Sequence, residues 1–252
     1  MAAFDCFMKM QSSVKEVIDF YKGMGRVIDL WQDDNQNVNA EDSQDNIISL
    51  FFIEKGKISP ISDEKSIQQR LKLLETEAAN MEEDIGDILD NNDAELNNGV
   101  KDATSIIWNQ VERLHKSVQV RKQKFSKYEE EPLDTQIAAF YNLVRKVLEE
   151  LLDEVLPAIY RGILITKHPI YELLLSRFNV FLKNIGVFTK KIDIGEKIDL
   201  DCCTFAEDES AKQTEKYELE DVIYKVLQYP YMIDNDQLLS PGRACAWRFM
   251  KR

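Results

Sequence analysis

This chain of 252 residues has little of what marks secreted, metal-held or catalytic proteins, with only four cysteines and two histidines. Cys6, Cys202, Cys203 and Cys245 show no Cys-x-x-Cys spacing. Neither a disulfide framework nor a zinc site is indicated, and reduced structural thiols are expected. His115 and His168 lie far apart, with no Ser, Cys or Asp partner at motif spacing, so no catalytic residue is assigned. Lys55-Gly56-Lys57 lacks the glycine spacing of a phosphate loop, and no cofactor motif is present. No apolar run approaches the ~20 residues that span a bilayer, and the N-terminus lacks the basic and apolar stretches of a signal peptide. A cytoplasmic protein with no membrane partner is expected. The 32 basic residues are outnumbered by 45 acidic ones, for a net charge of −13. That charge disfavours nucleic acid and favours a basic protein surface as partner.

What is present is helical periodicity. Val14, Val17, Ile18, Tyr21, Val27, Ile28 and Trp31 predict an amphipathic helix over 12–31, followed by a polar connector over 32–46. The apolar block 47–53 reads equally as a strand or a short buried helix. From about Ser62, a narrow seam of Ile67, Leu71, Leu74, Ala78, Met81, Ile85 and Ile88 advances by alternating fours and threes, the pattern of a coiled coil. It resumes from Leu96 to Tyr128, across an Asn-rich interruption at 91–99 made of weak helix formers. An unbroken helix over 64–130 would extend roughly 100 Å and would need a partner helix. An elongated homodimer is therefore expected, with Ile67, Leu71, Leu74, Met81, Ile85 and Ile88 at its seam.

Pro132 ends that helix, and a wide apolar stripe from Ile137 to Ile159 predicts a bundle helix. Pro169 starts another, running from Ile170 to Ile185. Two such helices per chain make a four-helix bundle in a dimer, with Leu151 and Val155 in its interface. Past Gly186 the pattern changes to strands, near 187–192, 202–205, 222–227 and 243–249, with turns at 193–195 and 234–236. The fold class is α+β and mostly helical, in four segments: 1–61 of unassigned role, 62–131 coiled-coil-like, 132–185 bundle, and 186–252 a small β domain. The long helix is expected to melt below the β domain, in two transitions.

The C-terminal order of elements resembles the GrpE family, the nucleotide exchange factors of DnaK-type chaperones. Leu156-Pro157-Ala158-Ile159 resembles the family's Leu-Pro-hydrophobic-hydrophobic step, and Phe181 to Val187 its helix end leading by Gly-Val into the β domain. Gly195-Glu196-Lys197-Ile198-Asp199 resembles its Gly-x-x-hydrophobic-Asp turn, and Val222 to Val226 followed by Tyr231 its penultimate strand and Gly-Tyr corner. Leu238 to Ala244 is similar to its Leu-Arg-Pro-Ala step, and Arg121-Lys122 lies where the family carries a basic cluster. The likeness covers about 115–249. Departures are Pro230 for the corner glycine, Ser240 for arginine, Cys202-Cys203 for a His-Glu-Ala step, and Tyr160 for aspartate. The resemblance implies a non-enzymatic cochaperone whose β domain binds a DnaK-type ATPase domain and opens its cleft. Arg121, Lys122, Gly186, Tyr231, Leu239 and Arg243 would be the contacts. The alternative is a structural coiled-coil adaptor with the same fold and no exchange activity.

Overall fold

The structure is a computed structural model and describes residues 47–206 and 212–250, which belong to one compact unit, Asp45–Arg252. The helix expected over 12–31 and the connector at 32–46 lie outside the described residues. Helix α1 is Glu64–Asn92 and α2 is Asn98–Phe125. α3 is Leu133–Glu150; it continues through a π-helical segment Leu151–Val155, α4 (Leu156–Arg161) and a second π-helical segment Gly162–Thr166. α5 is Ile170–Asn184.

α1 begins at a capping box, in which Asp63 Oδ1 accepts from the Ser66 amide at 2.7 Å and Ser66 Oγ accepts from the Asp63 amide at 3.1 Å. It ends at the Asn-rich interruption. A 3₁₀ turn, Asp93–Glu95, leads to Leu96 in extended conformation, and the Asn97 side chain then accepts from the Val100 amide at 3.0 Å. A strong N-cap thus starts a second helix where the unbroken one was expected.

That second helix runs back along the first. Gln68 pairs with Glu129, Glu75 with Lys122, and Glu82 with His115. Each seven-residue step up α1 is matched by seven residues down α2, so the two helices are antiparallel. α5 lies along α1 in the same sense, through Glu77–Asn184 at 2.8 Å and Asp84–Arg177 at 3.4 Å.

The unbroken long helix is corrected by this geometry, and the residues expected at its seam are covered from within the chain. Ile67 and Ile85 are 0% exposed, Leu71, Leu74, Met81, Leu151 and Val155 are buried, and Ile88 is partly buried, all enclosed by the chain's own helices. An apolar seam needs an apolar partner, and the nearest one is the other half of the same sequence. The four helices α1, α2, α3 and α5 build a bundle from one chain, around Phe140, Phe178 and Phe181. The seam residues from Ile67 to Ile85 are thus spent within the chain, and Ile88 alone of the seam stays partly exposed.

Pro157, in the first turn of α4, has no amide hydrogen to bond back to residue 153. The π-helical segment Leu151–Val155 sits immediately before it. The α2–α3 corner is tied by buried Gln136, whose amide donates to the carbonyls of Glu129 and Glu131 at 3.3 and 2.9 Å.

Residues 47–49 form a helical turn, which settles the reading left open at 47–53, and Phe51 and Ile53 enter the main core. The strands are β1 Val187–Thr189, β2 Cys203–Phe205, β3 Gln213–Thr214, β4 Ile223–Gln228, β5 Tyr231–Ile233, β6 Gln237–Ser240, β7 Gly242–Ala246 and β8 Arg248–Phe249. They form sheets in the orders β1-β5-β6, β2-β7-β4 and β3-β8. In the first, β5 pairs antiparallel with both neighbours, Val187 opposite Ile233 and Tyr231 opposite Ser240. Its outer edge at β1 is covered, because the Thr189 amide donates to Ile53 O at 3.0 Å and the Ile53 amide to Thr189 Oγ1 at 2.9 Å.

Val187, Tyr231, Ile233 and Leu239 from this sheet belong to the same apolar core as the helices. The second sheet packs around a separate small core of Ile48, Ile223, Val226, Tyr229 and Ala244. The boundaries expected at 61, 131 and 185 therefore cut through one core. A single cooperative transition for the helices and the first sheet is expected by circular dichroism. Two well-separated helical and β transitions would contradict the shared core.

Candidate functional site

The junction between the helical bundle and the first sheet concentrates the buried polar groups of the described residues. Arg70 lies on α1 among Ile67, Leu71 and Leu74, and its side chain is only 7% exposed. Its Nη2 donates to Asp234 Oδ1 at 2.8 Å and to the Ile185 carbonyl, at the end of α5, at 3.0 Å. Tyr141 on α3 donates from its hydroxyl to Asp234 Oδ2 at 3.1 Å. Asp234 occupies the β5–β6 turn with φ +52°, a left-handed conformation that Asp tolerates better than most residues.

One carboxylate thus joins two bundle helices to the hairpin, and the same guanidinium closes the α5–β1 corner. Breaking a buried pair of this kind costs far more than forming it yields, because the survivor is left as an uncompensated charge. The network therefore fixes where the hairpin sits. Arg70 Nη1, also buried, has no protein partner.

A second ring of contacts surrounds it. Lys55 forms an ion pair with Asp236 at 3.0 Å and lies 4.5 Å over the Phe188 ring. Arg145 donates to the Leu239 carbonyl at 3.2 Å. Ser240, at the end of β6, donates to Asp153 at 3.1 Å. Asp153 in turn lines a groove of about 420 Å³ between α2 and α3, together with Arg113, Ser117, Arg121 and Lys146.

The residues expected to contact a partner separate into two groups. Gly186, Tyr231 and Leu239 are internal: Tyr231 and Leu239 are buried, and Gly186 sits beneath the Arg70 guanidinium. Lys122 is held by Glu75, and Arg121 donates to Ser117 at 3.1 Å while facing the groove. Arg243, on β7, is exposed. Nearby, Lys116 on α2 pairs with Glu112 at 3.6 Å, and Lys127, just past the end of α2, lies 4.8 Å over Tyr128. Sequence reasoning missed Arg70 and Asp234. The signal was there in Arg70, a charged residue three positions after Ile67 and directly before Leu71.

The histidines are occupied as structural groups. His115 meets Glu82 and Gln119, and His168 accepts from the Ile170 amide at the start of α5. Among the described residues, no group of three or more His, Cys, Asp and Glu is placed to hold a metal ion, and no helix is long and apolar enough to cross a membrane.

Gly186 has φ +88°, and a Cβ there would meet Arg70 Nη2 at 2.9 Å. Both the backbone and the guanidinium resist a side chain, so Gly186→Ala is expected to cost about 1–3 kcal/mol. Urea unfolding checks this, and an unchanged midpoint would mean that the corner relaxes freely.

Several groups near this junction and in the second sheet favour their neutral forms. Tyr141 is pushed up to about 12 from 10.0, first by burial and then by the charge and hydrogen bond of Asp234. Burial alone raises Tyr231, and burial followed by the neighbouring Cys202 raises Cys203 from 9.0 to about 12. Each holds its proton in the folded chain where the unfolded chain ionises. For Tyr141 and Cys203 that stabilisation is complete below pH 9 and is lost as pH rises between 9 and 12. Urea midpoints should hold level up to about pH 9 and then fall, and Tyr141→Phe should flatten the upper part of the fall.

Compared with known protein families, curated proteins and solved structures, the chain has no match in any of the three.

Proposed function

We propose that the protein is a non-enzymatic binding protein of the GrpE-like cochaperone type, which engages the ATPase domain of a DnaK-type chaperone and promotes ADP release. What supports the reading most is the Arg70–Asp234–Tyr141 network, which makes the β hairpin and the bundle one rigid body. A protein without catalytic groups opens a partner's cleft only by binding the open form more tightly than the closed one. A rigid surface can make that distinction, whereas a β module on a loose hinge would follow the partner in either state.

A preference of about 4 kcal/mol shifts such an equilibrium roughly a thousandfold. The exposed Arg243 and the groove-facing Arg121 are the contacts of this reading. It needs one chain only, since the bundle closes on itself. Titration of the ATPase domain tests the reading: affinity should be about a thousandfold higher without nucleotide than with ADP. Equal affinity in the two states would defeat it.

The structural adaptor is the second reading. It is favoured by the burial of Tyr231 and Leu239, by Gly186 lying against the Arg70 guanidinium, and by the inward use of Ser240, at the family's arginine position, to bind Asp153. Those positions serve the fold rather than a surface. An adaptor binds without regard to nucleotide, so the same titration separates the two readings.

A further inference from the structure

The adjacent thiols Cys202 and Cys203 lie where β2 begins, at 6% and 3% exposure. Adjacent residues on a strand point to opposite faces. Here the turn at Asp199 prevents that. The amides of Cys202 and Cys203 both donate to the Asp199 carbonyl, at 3.3 and 2.8 Å, and the two Sγ atoms face one another 3.7 Å apart. Cys202 Sγ also lies 3.2 Å from Asp199 Oδ2 and 3.6 Å from Lys190 Nζ, and Lys190 pairs with Asp199 at 3.0 Å. The side chains of Lys190 and Asp199 are half exposed, so Cys202 sits just beneath a polar, solvated pair.

We propose that Cys202 and Cys203 form a modification site, a dithiol that a peroxide converts reversibly to a disulfide between neighbouring residues. The Cys202 proton passes to Asp199, and the thiolate, faced by the Lys190 ammonium, attacks a peroxide oxygen. The S–O bond forms and the O–O bond breaks. The departing hydroxide takes the proton from Asp199 and leaves as water. Cys203 Sγ then attacks the sulfenic sulfur of Cys202; the S–S bond forms, the S–O bond breaks, and hydroxide leaves with the Cys203 proton as a second water. Two thiols are oxidised, one peroxide is reduced to two waters, and no other reactant is needed. Burial holds both thiols protonated at rest, so the reaction is slow and the reduced pair is stable in the absence of peroxide.

The ring is strained by construction. Neighbouring Cα atoms across a trans peptide are about 3.8 Å apart, below the ~4.4–6.8 Å usual for a disulfide. Strained bridges have higher reduction potentials and open readily, as a reversible modification requires. Closing the sulfurs from 3.7 Å must turn the intervening peptide, whose carbonyl on Cys202 accepts from the Gly242 amide at 2.9 Å. Gly242 is the first residue of β7, paired with Cys203. Oxidation therefore loosens the β2–β7 pairing.

The test uses the full chain treated with hydrogen peroxide, then alkylated under denaturing conditions and mapped by mass spectrometry. The expected product has lost two hydrogens, retains two of its four alkylatable thiols, carries the bond within the peptide containing 202 and 203, and reverts with dithiothreitol. Hydrogen exchange at the Gly242 amide should quicken about tenfold in that product. Cys203→Ser should instead give a sulfenic acid on Cys202, captured by dimedone, with no loss of hydrogens. A disulfide mapped to Cys6 or Cys245, or a wild-type chain that gains oxygens on Cys202 without forming any disulfide, would overturn the proposal.

Discussion

Replacing Arg70 by methionine is expected to lower unfolding stability by about 3–5 kcal/mol, because it breaks a buried ion pair. Methionine matches the aliphatic stem, so little packing is lost. What is lost is the partner of Asp234, which is left charged, buried, and bonded only by Tyr141 among the groups that held it. The double change Arg70→Met with Asp234→Asn removes the charge while keeping a residue that tolerates the left-handed turn. It should recover a large part of the loss, and a double-mutant cycle isolates the coupling. If Arg70→Met cost less than about 1 kcal/mol, the surface-bridge value, the network would not be the clamp that fixes the hairpin.

Leu74→Ala and Ile85→Ala are each expected to cost about 2–5 kcal/mol, from lost apolar transfer and the cavity left behind. Both side chains are enclosed by the chain's own helices, at 2% and 0% exposure. The two sites lie three turns apart on α1, so the costs should add. The decisive observation is the dependence on protein concentration. A seam closed within one chain gives a denaturation midpoint that does not move over a hundredfold range of concentration, about the span of ordinary assays, and both variants keep the parent's mass in light scattering. A seam shared by two chains gives a midpoint that rises with concentration, and alanine variants that dissociate.

Much of this fold was legible in the sequence. Every seam position on α1 from Ile67 to Ile85 is buried, helix breaks fall at the Asn-rich stretch, Pro132 and Pro169, and Gly186 marks the change from helix to strand. What periodicity could not convey was the owner of the opposing surface. A 4–3 repeat states that a helix has one apolar stripe, and the same stripe serves a second chain or the next helix of its own chain. The discriminating signals were local. Asn97 is a strong N-cap inside the supposed continuous helix, and the oppositely charged Glu75 and Lys122 fall in antiparallel register.

The hairpin of β5 and β6 was missed as strands, because Tyr231–Ile233 and Gln237–Ser240 are too short to display alternation. Its turn was recognised as a connector, but nothing in Asp234-Asn235-Asp236 shows that one carboxylate is buried and the next exposed. Arg70 and Asp234 are 164 residues apart, and only the folded chain brings them together. The same holds for the two thiols. Strand periodicity places adjacent side chains on opposite faces, and it is the Asp199 turn that sets Cys202 and Cys203 side by side.

The central claim is that a β hairpin held rigidly on a one-chain bundle opens a chaperone's nucleotide cleft. The most direct measurement is the rate at which labelled ADP leaves a DnaK-type chaperone of the same organism, followed with the parent protein and with Arg70→Met at a temperature where both remain folded. The account predicts that the parent speeds release by orders of magnitude, roughly a thousandfold at saturation, and that Arg70→Met still binds but loses most of that acceleration. Release that is no faster with the parent than without it, although the two proteins bind, would contradict the account and leave the adaptor in its place.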